Sequence, residues 1–226
     1  MPHASQAAPR LLVRPALPDD LPAMSAIYAA ARCLMRSRGN VHQWVNGYPS
    51  DELLLTDIRA QRSFVCTTED GQIAGAFCLL CGIEPTYQRL YDGEWPNDLP
   101  YVTIHRLASD GRVGGIFRAC LSFARSKSAV VRADTHKDNL KMQQLLVQNG
   151  FQRCGIIYLE EINRSASLTN SDNQRRSTPQ VRFLSRQQRF ALVSAKAYAH
   201  DEKGVRSRAY KEDVGCCRSR SLSRDL

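Results

Sequence analysis

Arg112, Gly114 and Gly115 stand between a β-type run, Tyr101 to Leu107, and a helical pattern that begins at Gly115. Such a junction can bind phosphate. The first N–H groups of a helix have no intrahelical partner, and the helix dipole adds partial positive charge there. Glycine permits positive φ and lets the backbone approach an anion closely, and an arginine adds a charge-assisted bond. Taken alone, two glycines and an arginine describe an ordinary turn as readily as a phosphate site. The order of the surrounding elements narrows the reading. A second β-run, a polar Asp138-Asn139 helix start, a helix closing on Asn149-Gly150-Phe151 and a third β-run through Tyr158 follow the loop. That order suits an anionic cofactor held between two splayed strands.

A second set of residues could hold a cation. Trp44 and Tyr48 lie in one long connection, and Glu84, Tyr87, Tyr91, Asp92, Glu94 and Trp95 in another. Aromatic faces beside carboxylates suit an amine in its ammonium form. Covering the core accounts for Trp44 and Tyr48 equally well. Cys78-x-x-Cys81 has no second pair at zinc spacing, so the strand FCLLC reads as core and no metal is expected.

The elements that must position these residues can be read from periodicity. Leu11–Arg14 reads as a strand, and Pro18-Asp19-Asp20 starts a helix carrying Leu21, Met24, Ile27 and Tyr28. Ser50 is an N-cap candidate for a helix with Leu53, Leu54 and Ile58 on its apolar face. Residues 63–68 and 72–81 are β-rich runs joined at Glu69-Asp70-Gly71, a hairpin signal. Strands at 129–133 and 151–159 and helices at 115–125 and 138–148 complete the pattern. Asp134 to Asp138 reads first as a cap for the last helix, with steering by Asp134 and His136 as the alternative.

At 226 residues and 43% apolar content the chain can bury a full core. It has no apolar run of membrane-spanning length, and its opening MPHASQAAPR lacks the apolar stretch of a signal peptide. A soluble, cytoplasmic protein with no membrane partner is expected. Residues 161–226 hold 14 Lys and Arg against 7 Asp and Glu, while the rest of the chain holds 17 against 15. Of the net charge of +9, +7 therefore lies in the tail. The expected organisation is a disordered N-terminus at 1–10, one domain at 11–160 and a basic, largely disordered tail at 161–226. Within the tail only Val181–Tyr198 could support a weak helix.

Several short motifs in order make Leu11–Leu159 similar to the GNAT superfamily of N-acetyltransferases. The superfamily's Q/R-x-x-G-x-G/A loop falls on Arg112-Val113-Gly114-Gly115-Ile116-Phe117, with Phe117 in place of a small residue. The chain also resembles a bacterial subgroup through Gly47-Tyr48-Pro49-Ser50, Glu84-Pro85-Thr86-Tyr87, Ile104-His105-Arg106-Leu107-Ala108 and Arg132-Ala133-Asp134-Thr135-His136-Lys137-Asp138-Asn139. The resemblance implies an α/β fold, a mixed central sheet with flanking helices.

It also implies direct acetyl transfer from acetyl-CoA to a primary amine, a small molecule or a peptide, in a ternary complex. Leu107, Ala108, Arg112 to Phe117 and Asn139 would bind the donor, with backbone N–H groups near Leu107 and Ala108 polarising the thioester carbonyl. His105, on the strand face of Thr103, is the candidate base; a histidine buried against a carboxylate is the alternative. Leu146 occupies the superfamily's usual tyrosine position, which leaves Tyr158 or Tyr101 as an acid. Trp44, Tyr48, Glu84 and Tyr87 would bind the acceptor. A homodimer is left open.

The resemblance stops after Glu160. Shifting the frame back by one nucleotide lets codons compatible with EINRSASLTNS encode GNQSLGVSYQ and a stop, a sequence similar to the superfamily's ending. Residues 161–226 are accordingly expected to be out-of-frame translation, with the last strand missing or replaced. The competing reading is a non-catalytic scaffold that binds CoA or, through its arginine- and serine-rich tail, nucleic acid. The tail lacks aromatic interleaving, which disfavours nucleic acid.

Overall fold

Alternation along β2 (Ser63–Thr67) sends Phe64 and Cys66 to one side of a sheet and Val65 to the other. The computed structural model describes residues 10–160 and 186–195 and builds that sheet from seven strands in the order β1-β2-β3-β4-β5-β7-β6. The others are β1 (Leu12–Pro15), β3 (Ile73–Cys81), β4 (Tyr101–Ser109), β5 (Val130–His136), β6 (Gln152–Glu160) and β7 (Arg186–Ala195). The β4–β5 pair is parallel and the other neighbours are antiparallel.

The first helix, α1 (Leu21–Ser37), buries Met24, Ile27, Tyr28 and Ala31, one stripe at helical spacing. The second, α2 (Asp51–Arg59), is capped by Ser50, whose Oγ accepts from Leu53 N at 3.2 Å. Both pack with Val65, Ala76 and Ala108 on one sheet face. On the opposite face α3 (Ile116–Lys127) and α4 (Leu140–Gln148) set Cys120, Leu121, Ala124 and Leu146 against Phe64, Phe77, Ile104 and Ala133. Burial pushes the Cys78 thiol up to about 11 and that of Cys66 up to about 12, so both stay protonated and act as small apolar residues.

Two irregularities in β4 shape the centre of the molecule. Arg106 and Leu107 together face the single residue Phe77, between the pairs Ala76↔Ala108 and Cys78↔His105. This is a β-bulge, and Arg106 takes φ +52 within it. In addition, β4–β5 pairing ends at Ile104↔Ala133 although both strands continue. Past that point β4 stays with β3 and β5 stays with β7, so the two strands part.

Within 181–198, the described residues depart from expectation. Arg186–Ala195 is a strand instead of a weak helix, inserted between β5 and β6. The short apolar run Phe190-Ala191-Leu192-Val193 meets a row of backbone partners on each side, and that pairing outweighs weak helix propensity. Leu192 is buried in the core beside Ala133. The place of the strand expected to be missing or replaced is thus filled from beyond residue 160, and β6 is paired along Ile156–Leu159. The readings placed on 1–9, 161–185 and 196–226 lie outside the described residues.

Candidate functional site

The parting of β4 and β5 opens a cavity of about 560 Å³. Its walls come from the end of α1 and the segment after it (Met35, Asn40, Gln43, Trp44, Tyr48), from His105 to Ser109 on β4, from Ala133 to Thr135 on β5, and from Asp138 to Leu146. Phe117 reaches it from α3, with its ring edge-on to Phe151.

Of the sequence-predicted donor residues, Leu107, Ala108, Phe117 and Asn139 line this cavity. Gly115 precedes α3 with φ +90, a conformation that L side chains rarely adopt. No atom lies within 4 Å of where a Cβ on Gly114 would sit, so backbone is open to an approaching group there. Val113 is half-buried and Ile116 is buried in the core, its Cγ2 only 2.5 Å from where a Cβ on Gly75 would sit. The Arg112 guanidinium pairs with Asp110 at 2.6 Å and donates to Ile73 O at 3.3 Å, tying the loop to β3. Asn139 caps α4 through Met142 N at 3.1 Å and donates to Gln43 Oε1 at 3.0 Å. Gln43 also accepts from Asn40 Nδ2 at 2.7 Å, so one amide chain joins α4 to the segment after α1.

His105 lies on the cavity wall between two carboxylates. Its Nε2 is 2.8 Å from Glu84 Oε2, and its Nδ1 is 3.7 Å from Asp134 Oδ1. Glu84 Oε1 accepts from the Thr86 amide at 3.1 Å and the Thr86 hydroxyl at 2.7 Å. Burial pushes the Glu84 carboxyl up, but the bonds from His105 and Thr86 outweigh it and hold it at about 2. Glu84 is therefore an acceptor only, and Nε2 of His105 carries the proton between them. Tyr87, buried, donates its hydroxyl to Asp134 Oδ1 at 2.7 Å.

The predicted acceptor residues divide into two groups. Trp44 and Tyr48 line the cavity, and Trp44 also packs in the core beside Tyr28. Glu84 and Tyr87 lie behind His105 and Asp134, outside the lining. Tyr158 is also outside it, with its ring T-shaped against Tyr91 at 5.1 Å. Tyr101 lies outside it as well, and its hydroxyl oxygen accepts from Glu84 N at 3.0 Å.

Sequence reading held Asp134 and His136 only as an alternative to helix capping and gave Arg106 no role of its own. Asp134 does not cap α4, because the cap is Asn139; Asp134 sits on β5 beside His105. His136 is buried, and its Nδ1 accepts from Asp138 N at 3.2 Å. Arg106 pairs with the buried Asp57, which also holds Arg62 at 2.7 Å. Tyr28 Oη donates to Arg106 O at 2.9 Å and Arg106 Nη1 to Tyr48 Oη at 3.2 Å, so the strained bulge residue is fixed at both backbone and side chain. An aspartate at the C-terminal end of a strand beside a gap was the signal for Asp134; nothing in the sequence marked Asp57.

The connection from β3 to β4 is anchored by Arg132. Its guanidinium lies 4.0 Å from the Trp95 ring centre and 3.9 Å from that of Tyr101, and it donates to Asn97 O at 2.9 Å. Gly93 and Gly155 let this connection touch β6, since a Cβ on Gly93 would fall 1.9 Å from Cys154 O.

The fold matches solved structures, GNAT-family acetyltransferases among them. One is a GNAT-family acetyltransferase from Streptococcus agalactiae, 25% identical, covering 83% of this chain and 96% of its own, with a TM-score of 0.66. Another, from Listeria monocytogenes, is 18% identical over 82% of this chain and 95% of its own, with a TM-score of 0.53. The apo-form of YjaB from Escherichia coli is 11% identical over 81% and 97%, with a TM-score of 0.51. No protein-family model and no curated protein sequence matches the chain. The chain has the GNAT fold.

Proposed function

We propose that this protein transfers an acetyl group from acetyl-CoA to a primary amine by direct attack in a ternary complex. The observation that carries the reading is the cavity at the parting of β4 and β5, with a glycine-fronted helix start near one end and His105 on its wall. The names of the structural neighbours support acyl transfer in general.

The residues present fit the donor. Gly114, Gly115 and the α3 N-terminus would take its diphosphate through backbone N–H groups, with Arg112 adding charge. Leu107, Ala108, Asn139 and Phe117 would flank its pantetheine arm. When bound, it supplies the thioester carbonyl that the amine attacks. The bulge leaves Arg106 and Leu107 sharing one partner residue, which supports a backbone donor near Leu107 or Ala108 for that carbonyl oxygen.

An amine of pKa about 10 arrives protonated and must lose a proton before attacking. His105 takes it on Nδ1, because Glu84 keeps Nε2 as a donor. Glu84 thus acts through His105 as a positioning residue. Once the amine nitrogen has bonded to the acetyl carbon, its second proton is available to the departing thiolate. No tyrosine at Tyr158 is required.

The test is calorimetric titration with acetyl-CoA, followed by thiol release with a panel of primary amines. Micromolar binding with amine-dependent thiol release is expected. No binding would overturn the proposal. Binding without release from any amine would favour a CoA-binding scaffold, in keeping with Leu146 at the position of the superfamily's tyrosine.

A further inference from the structure

We infer that the side-chain amides of Asn40 and Gln43 seat a carboxamide, and that the acceptor is a primary amine that carries one. The inference rests on the acetyltransfer reading above and narrows its acceptor. Among the described residues, six buried side-chain nitrogen and oxygen atoms have no hydrogen-bond partner. Three of them belong to residues lining the cavity: Asn40 Oδ1, Arg106 Nε and Thr135 Oγ1. Arg106 is already held by Asp57 and Tyr48, and a threonine hydroxyl can donate or accept, so neither singles out a ligand. Asn40 Oδ1 can only accept, and the residue is 2% exposed. A buried carbonyl oxygen left unmet carries its full desolvation cost, so it calls for an N–H or O–H.

A row of bonds fixes which atom of Asn40 is left over. Met142 N can only donate, so the Asn139 atom facing it at 3.1 Å is the oxygen. The Asn139 nitrogen then faces Gln43 at 3.0 Å, which makes the Gln43 atom there Oε1. Asn40 meets the same Oε1 at 2.7 Å and must offer its nitrogen. Asn40 Oδ1 and Gln43 Nε2 remain, one acceptor and one donor on neighbouring side chains, neither with a partner among the described residues. A carboxamide carries the complementary N–H and C=O on adjacent groups. An ester brings the C=O alone, and a carboxylate brings no proton to Oδ1. The seat is firm, because Asn40 N donates to Met35 O at 3.0 Å and ties it to the last turn of α1. Asn139, at one end of the row, starts α4, beside which the donor's arm would lie. Asn40, at the other end, stands on the connection from α1 to α2, helices of the sheet face opposite α3. A group seated at Asn40 therefore comes from the acceptor. Leu34 and Met35 line the same cavity and suit an apolar body on that molecule.

The test measures thiol release from acetyl-CoA with four amines of one carbon skeleton: leucinamide, leucine N,N-dimethylamide, leucine methyl ester and leucinol. The wild type should give leucinamide a KM about tenfold below that of each of the other three, which lack an amide N–H. In Asn40→Ala the leucinamide KM should rise to within about twofold of the others, with acetyl-CoA affinity by calorimetry changed by less than about twofold. Equal KM values in the wild type overturn the inference, as does a leucinamide preference that survives in Asn40→Ala. Acetyl-CoA affinity that falls about tenfold in Asn40→Ala while the preference persists would give the seat to the donor instead. A variant that fails to fold shows as lost acetyl-CoA binding, and the wild-type comparison of leucinamide with its N,N-dimethylamide then decides. A wild type that binds no acetyl-CoA, or releases thiol with no amine, would sink the acetyltransfer reading itself and this inference with it.

Discussion

Glu84 and His105 are 21 residues apart in sequence, yet Oε2 of one and Nε2 of the other are 2.8 Å apart. The connection that follows β3 thereby fixes which ring nitrogen faces the gap. Glu84→Gln replaces an acceptor with a group that can also donate, and lets the ring take the other tautomer. We expect kcat to fall by about 100-fold with the amine KM nearly unchanged, as for a lost proton-transfer geometry. Steady-state thiol release checks this. A raised amine KM with unchanged kcat would show that Glu84 touches the acceptor instead.

The same carboxylate predicts acid sensitivity. The Glu84 pKa is about 2 in the folded chain against an ordinary 4.5. A carboxylate with a lowered folded pKa contributes stability that is fully present above its unfolded value and lost as pH falls toward the folded one. The contribution, on the order of 3 kcal/mol, should fade between about pH 4.5 and 2. Urea unfolding from pH 7 to pH 3 should show a steeper loss for the wild type than for Glu84→Gln. Parallel curves would contradict it.

Asp57 pairs with two guanidiniums while itself only 1% exposed. Asp57→Asn leaves Arg106 charged and poorly paired, which costs about 3 kcal/mol or more. Arg106 holds the bulge, so the damage should reach the donor site as well. We expect a lower urea midpoint and weaker acetyl-CoA binding together; a change in stability with intact binding would separate the network from the site.

Gly75 admits the start of α3 to the sheet. A Cβ there would meet Ile116 Cγ2 at 2.5 Å and Ala108 O at 3.1 Å. Gly75→Ala should push the α3 start outward at a cost of about 1–3 kcal/mol and weaken acetyl-CoA binding. Calorimetric titration with acetyl-CoA reads the effect. Undiminished affinity would argue that the helix start plays no part in donor binding.

Most of the scaffold was legible because period and punctuation agree. Met24, Ile27 and Tyr28 mark α1, Ser50 its successor's cap, and Gly71 the turn between β2 and β3. The loop before α3 and the Asn139 helix start were legible for the same reason. What escaped depends on registers that local pattern does not encode. The bulge needs the β3–β4 pairing to be known before Arg106 stands out. The meeting of Glu84, His105, Asp134 and Tyr87 requires one connection and two strands, β4 and β5, to be brought together. The β7 strand escaped because its polar flanks hide a four-residue apolar centre, and its partners lie far away in sequence.

The position of β7 has a kinetic consequence. Among the described strands it alone joins β6 to β5, and it follows both in the chain. During synthesis, everything through Glu160 must emerge before the strand that closes this half of the sheet has been made. Until then β5 and β6 each present open backbone, and their docking awaits a contact of high sequence separation, the slow kind in folding. The half of the molecule built from β1 to β4 can settle first; the wall that carries Asp134 becomes rigid last.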